Sequence, residues 1–171
     1  MRNLIGTVSL ALLLPMAAHA QQPQPQFGCK EPLHRQFDFW IGEWNVTTPD
    51  GQPAGRNTIK GIEDGCVILE SWTGAGGGTG TSINYVDQGR WHQLWVSNRT
   101  GASPLRLSGG LEGGAMVMAG DYTRPDGKRV RARMRWEAIQ DGRVRQTWEN
   151  SEDGGVTWTT VFMGIYARKR A

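Results

Sequence analysis

Residues 129–151 read RVRARMRWEAIQDGRVRQTWENS. Asp141-Gly142 is the dipeptide that accepts positive φ at both positions of a tight hairpin turn, and β-rich runs flank it on each side. The segment therefore reads as an antiparallel pair, Arg129–Ile139 with Arg143–Ser151. A two-residue loop sets the register. Gln140 faces Arg143, and then Ile139 faces Val144, Glu137 faces Gln146, Arg135 faces Trp148 and Arg133 faces Asn150. That face mixes Trp148 with hydrogen-bonding and charged groups. The opposite face pairs Trp136 with Thr147 and Met134 with Glu149, so neither is a plain apolar stripe.

The same punctuation runs outward from this hairpin. Asp-Gly recurs at 50–51, 64–65, 126–127 and 153–154, with Asp87-Gln88-Gly89, Gly101 and Gly113-Gly114 between. The turns bracket Glu43–Thr48, Arg56–Glu63, Val67–Thr73, Thr81–Val86, Trp91–Asn98, Leu105–Leu111, Met116–Thr123 and Thr157–Ala167, in addition to the first pair. About ten successive strands with no long crossover predict an all-β fold, a single antiparallel up-and-down barrel that leaves no exposed sheet edge. A sandwich would need at least one longer connection. Pro32–Trp40 is the one helical stretch, short, with Phe37, Trp40 and Ile41 on a common face. Gly74–Gly80 lacks the Lys-Ser/Thr ending of a phosphate loop and precedes a strand, so it reads as a flap near the barrel mouth or as simple hairpin slack.

The chain has 171 residues with 8 Trp, 24 Gly and 2 Cys, enough for one domain with a real core and too rich in Trp to be disordered. Arg2, the apolar run Leu4 to Met16 and Ala18-His19-Ala20 form a signal peptide over 1–20, cleaved near Ala20. Residues 21–35 then read as a flexible arm and 36–171 as the barrel domain, secreted or periplasmic. Export makes a disulfide between Cys29 and Cys66, the only two cysteines, the economical pairing. The mature chain keeps a small positive charge concentrated in Arg168-Lys169-Arg170, a solubilising tail rather than a nucleic-acid surface. No stretch is apolar enough for stable membrane insertion.

Side chains two apart share a face of a strand. Three strands repeat a hydrogen-bonding residue, any residue, then Trp: Glu70-Ser71-Trp72, Gln93-Leu94-Trp95 and Gln146-Thr147-Trp148. Ser82 and Asn84 share a face of another strand. If these faces point inward, the lumen holds polar groups among aromatic walls, as a small-molecule pocket does. Its candidate ligand-binding residues are Glu70, Trp72, Ser82, Asn84, Gln93, Trp95, Arg133, Gln146 and Trp148. A buried Glu70 needs a partner, and Arg133 or Arg135 is the natural one. The plainer alternative has the tryptophans filling a core, with Glu70, Gln93, Gln146 and Arg133 either facing water or satisfying one another.

Catalytic constellations are thin. The mature chain carries only His34 and His92, with no metal-spaced histidine pair and no Gly-x-Ser-x-Gly elbow. No metal or cofactor is expected, and His92 has the parity of an outward residue. Glu70 with Glu137 or Glu149 is a weak carboxylate pair for acid/base work. Ser151-Glu152-Asp153-Gly154-Gly155-Val156-Thr157-Trp158 resembles the Asp-box hairpins of bacterial sialidase propellers, where the motif is a structural turn; Asp153 would cap backbone amides and Trp158 would pack beneath. Asn45-Val46-Thr47 and Asn98-Arg99-Thr100 are sequons only in a host that glycosylates.

Phe37-Asp38-Phe39-Trp40-Ile41-Gly42-Glu43-Trp44 resembles the opening of lipocalin-like (calycin) barrels. With the middle Trp91-His92-Gln93-Leu94-Trp95 and the late Arg145-Gln146-Thr147-Trp148 and Asp-box motifs, it looks like a family of uncharacterised bacterial secreted proteins with such a barrel. The resemblance covers about residues 36–168. It implies that Trp44, next to Trp40, plugs the closed end, with Arg168 stacked on it. It implies no reaction. The related haem-binding nitrobindin barrels use a histidine near the C-terminus, and this chain has none after His92. The expected function is therefore an exported barrel binding a small amphipathic molecule. The alternatives are a barrel enzyme using Glu70 or His92, or a filled envelope barrel with no ligand.

Overall fold

The computed structural model describes residues 27–170. The expected signal peptide, its expected cleavage point and the first part of the expected arm lie outside the described residues. A four-residue helix, α1 (Pro32–Arg35), and a 3-10 turn (Asp38–Trp40) precede ten strands. These are β1 (Gly42–Thr47), β2 (Pro53–Ile62), β3 (Val67–Gly74), β4 (Thr79–Asp87), β5 (Arg90–Ser97), β6 (Leu105–Glu112), β7 (Ala115–Thr123), β8 (Arg129–Ala138), β9 (Val144–Ser151) and β10 (Thr159–Arg168). Each strand pairs antiparallel with the next, and β1 pairs with β10, so the sheet is a closed ten-stranded barrel. All ten predicted strands form. The single predicted helix instead breaks after Arg35, and Phe37 takes a non-helical φ of −109° before the 3-10 turn.

The first hairpin does not keep its predicted register. Asp141 and Gly142 do supply positive φ, 62° and 67°. However, Arg143 N–H donates to Gln140 O while Ile139 N–H donates to Arg143 O, so two residues of one strand face one residue of the other. This bulge shifts the pairing by one. Trp136 faces Gln146, Met134 faces Trp148 and Arg133 faces Glu149. Gln146 and Trp148 still point inward, but Met134 and Trp136 accompany them, and Arg133 and Arg135 go outside.

The two barrel ends differ. At one end α1 and the 3-10 turn lie across the lumen. Phe37 and Trp40 stack at 4.8 Å between ring centroids, and Trp91 and Trp136 meet Phe37 edge-on. Trp44 Nε1 donates to Trp40 O at 2.9 Å, and the Arg168 guanidinium lies 4.4 Å from the Trp44 ring centroid while donating to Ile41 O. A side chain at Gly42 would collide with that guanidinium, which accounts for glycine there. The Cys29–Cys66 disulfide ties the segment before α1 to the β2–β3 loop, assisted by Arg35 Nη2 donating to Gly65 O at 2.5 Å. The other end is the mouth, ringed by the loops after β1, β3, β5, β7 and β9. The glycine-rich run forms part of this rim as an ordinary hairpin, with Gly74 N–H donating to Gly78 O at 2.7 Å.

Two stability effects follow from this plug. Trp44→Ala opens a hole in a fully buried cluster and should cost ~3–5 kcal/mol by urea unfolding. Removing the disulfide, which spans 37 residues, should cost ~3–4 kcal/mol in the same assay. Losses below ~1 kcal/mol in both variants would contradict this account of the closed end.

Candidate functional site

Above the plug, the mouth half of the barrel holds a cavity of about 470 Å³. Glu70, Gln93, Met134, Gln146 and Tyr166 come from deeper strand positions and form its floor. Trp72, Trp95 and Trp148 lie one inward position nearer the mouth than Glu70, Gln93 and Gln146 and form its walls with Phe162 and Tyr122, and Arg99 reaches it from the β5–β6 loop at the rim. Small residues make room for the large rings. Gly80 of β4 faces the Trp95 indole so closely that any Cβ there would overlap the ring. Trp72 and Phe162 meet edge-on at 6.2 Å. Trp148 Nε1 donates to Asn150 Oδ1 at 2.9 Å, and Asn150 Nδ2 donates to the Tyr122 hydroxyl at 3.0 Å, which fixes that wall.

Below the walls, a hydrogen-bond network crosses six strands. Gln93 Nε2 donates to Asn84 Oδ1 (2.9 Å), and Asn84 Nδ2 donates to Ser82 Oγ (2.9 Å). Ser82 Oγ donates to Glu70 Oε2 (2.6 Å), and Asn57 Nδ2 donates to Glu70 Oε1 (2.7 Å). The Tyr166 hydroxyl, 3.4 Å from Asn57 Nδ2, donates to Gln146 Oε1. Cross-strand neighbours place most of these groups: Glu70 faces Ser82, and Asn84 faces Gln93. Glu70 is 5% exposed, and burial pushes its carboxyl up from 4.5 to about 7 against the opposing effect of the Ser82 and Asn57 hydrogen bonds. Burial first, and the nearby Glu70 carboxylate second, hold the Tyr166 hydroxyl well above the ordinary tyrosine range.

Of the nine residues predicted to bind a ligand, Glu70, Trp72, Gln93, Trp95, Gln146 and Trp148 come together on the cavity. Ser82 and Asn84 are inside the barrel but behind the floor, where they buttress Glu70 and Gln93. Arg133 is outside. It holds Glu149 at 2.7 Å and covers the Trp158 ring at 4.1 Å, so neither it nor Arg135 reaches Glu70. The bulge that reverses the β8 faces is the reason. Glu137 binds Arg145 at 2.5 Å on the same outer surface, so no carboxylate pair forms with Glu70. His92 is also outside, stacked on Tyr85 at 5.4 Å. Asp153 caps its turn by accepting from Val156 and Thr157 N–H, and hydrogen bonds with Ser151 first hold its carboxyl well below the usual range. Sequence reasoning missed Asn57, Tyr122, Phe162 and Tyr166. The last two were within reach, because Phe162, Gly164, Tyr166 and Arg168 share one parity and Arg168 was already placed over Trp44.

Among the described residues, no three His, Cys, Asp or Glu side chains come together as a metal site requires, and no helix is long and apolar enough to cross a membrane. Comparison with models of known protein families finds no match, and comparison with curated proteins finds none.

The raised Glu70 carboxyl has a stability signature with a definite sign. The native state holds the proton more tightly than the unfolded chain, so the contribution is full below pH 4.5 and is lost as pH rises through about 7. Wild type should therefore lose on the order of 3 kcal/mol relative to Glu70→Gln between pH 4.5 and pH 8. Urea unfolding at both pH values measures this, and a constant difference would contradict it.

Proposed function

We propose that this chain is an exported binding protein whose barrel holds a small amphipathic molecule between Trp72, Trp95 and Trp148, oriented by Glu70, Gln93 and Gln146. The observation that carries the reading is the cavity of about 470 Å³ with aromatic walls and a hydrogen-bonded floor. A volume in this range suits a small ligand, and few convergent polar groups on an apolar wall are what such sites use for orientation. Export is supported by the leader-like first twenty residues and by the disulfide. We extend the same proposal to membership of the secreted calycin-like family, supported by the opening motif and by Arg168 stacked on Trp44.

Acid/base chemistry by Glu70 is the second reading, favoured by a carboxyl near pH 7 on the floor of a cavity. It lacks a second titrating group there other than Tyr166, whose hydroxyl burial keeps protonated.

Native mass spectrometry of protein purified from its own host should find a retained small molecule. Trp148→Ala should reduce that occupancy at least about tenfold, with a smaller stability loss than Trp44→Ala because the Trp148 ring is only half-buried. Recovery of empty protein alone would favour a barrel with no ligand.

A further inference from the structure

The cavity floor is unbalanced in hydrogen bonding. Most of its amide and hydroxyl donors are consumed within the network, and Gln146 Nε2 turns to the Met134 sulfur at 3.6 Å. Asn57 Nδ2 bonds Glu70 and the Tyr166 hydroxyl, Asn84 Nδ2 bonds Ile68 O and Ser82, and Gln93 Nε2 bonds Asn84 and lies 3.4 Å from Ser82. Ser82 spends its proton on Glu70, and Tyr166 spends its own on Gln146. Acceptors remain. Each Glu70 oxygen takes one hydrogen bond and has capacity for another, and buried Asn57 Oδ1 has no partner.

The charge is unbalanced as well. Among the described residues no Lys, Arg or His is buried, whereas Glu70 is. An ionised Glu70 thus lacks a counter-charge inside the protein, a costly condition that a bound cation relieves. The walls around the space above it are three indoles, a phenyl ring and a phenol, whose π faces attract cations.

We propose that the cavity takes an organic ammonium ion, a primary or secondary amine on a small apolar or aromatic body, with its N–H groups on Glu70 and its body between Trp72, Trp95 and Trp148. This rests on the binding reading above and names the ligand class for the same cavity. An N–H-bearing ammonium supplies both the donors and the positive charge that the floor lacks. A neutral alcohol supplies one donor and no charge, and a carboxylate adds a second anion. Around Glu70, Asn57 of β2 and Ser82 of β4 bond it, Ile59 of β2 is its cross-strand neighbour, Tyr166 of β10 lies near enough to feel its charge, and Gln93 of β5 and Gln146 of β9 line the same cavity. Tyr166 is the only one of them that titrates. Arg99 lies at the rim, exposed to solvent that screens its charge.

The pH dependence follows. An alkyl ammonium stays charged to about pH 10, so ionisation of Glu70 sets the lower limb. Affinity for the amine is full above about pH 7 and falls roughly tenfold per pH unit below it.

Isothermal titration of the wild-type protein with phenethylamine, 2-phenylethanol and phenylacetate at pH 8 and pH 5.5 tests this. Phenethylamine should bind at least about tenfold tighter than either analogue at pH 8, as charge-assisted hydrogen bonding requires. That preference should shrink at pH 5.5, while 2-phenylethanol binds alike at both. Glu70→Gln should abolish the preference, bringing phenethylamine down to the affinity of 2-phenylethanol for the same variant. Equal binding of all three probes by wild type at pH 8 overturns the ammonium assignment and leaves the cavity reading standing. No binding by any of them, up to millimolar concentration, counts against both.

Discussion

Closure of the sheet between β1 and β10 is the constraint from which the rest follows. An open meander of ten strands has two solvent-facing surfaces and two edges, and its alternating side chains need no common interior. Pairing Trp44–Thr47 with Ile165–Arg168 removes both edges and makes every second residue an inward one. It also brings Arg168 onto Trp44 and sets Tyr166 beside Asn57, although 109 residues separate that last pair in the chain. Plug and floor both depend on this one seam.

Inside the closed sheet, the ends divide the work. The plug end is dry and aromatic, with Phe37, Trp40, Trp44, Trp91 and Trp136 packed together and the disulfide holding the covering segment in place. At the mouth end the rings of Trp95, Trp72 and Phe162 lie over Gly80, Gly55 and Gly164, where any side chain would displace them. Between them lies a polar layer whose members bond one another and leave Asn57 Oδ1 and the carboxylate charge unmet. Burying an acid with neutral donors alone keeps it poised between two protonation states near neutral pH. Had an outer-face arginine entered instead, the pair would have neutralised itself and the floor would hold no unmet charge.

Much of this was readable before any coordinates. Asp-Gly turns marked the hairpins, the short connections favoured a barrel over a sandwich, and the repeated polar-x-Trp pattern found six cavity residues. The failure at Arg133 has a local cause. Composition at Asp141-Gly142 indicates the turn but not whether a bulge accompanies it, and one extra residue exchanges the two faces of a strand. Asn57, Tyr122, Phe162 and Tyr166 were missed for a different reason. None of them sits in a polar-x-Trp repeat; Phe162 and Tyr166 were accessible only through the parity they share with Arg168, and Asn57 and Tyr122 join through their hydrogen bonds to Glu70 and Asn150. The helical stretch was overextended because Phe37, Trp40 and Ile41 fit helical spacing, while their burial is satisfied by a 3-10 turn laid across the barrel end.

The central claim is that the floor of an aromatic-walled cavity buries the Glu70 carboxyl among neutral hydrogen-bond donors, with no buried protein cation beside it. Carbon-13 detection of the Glu70 side-chain carboxyl by NMR across a pH titration of the ligand-free protein tests it most directly. The account predicts a midpoint at about 7. A midpoint at or below the ordinary glutamate value of 4.5 would mean that the carboxyl is solvated or paired with a positive charge, and it would contradict the account.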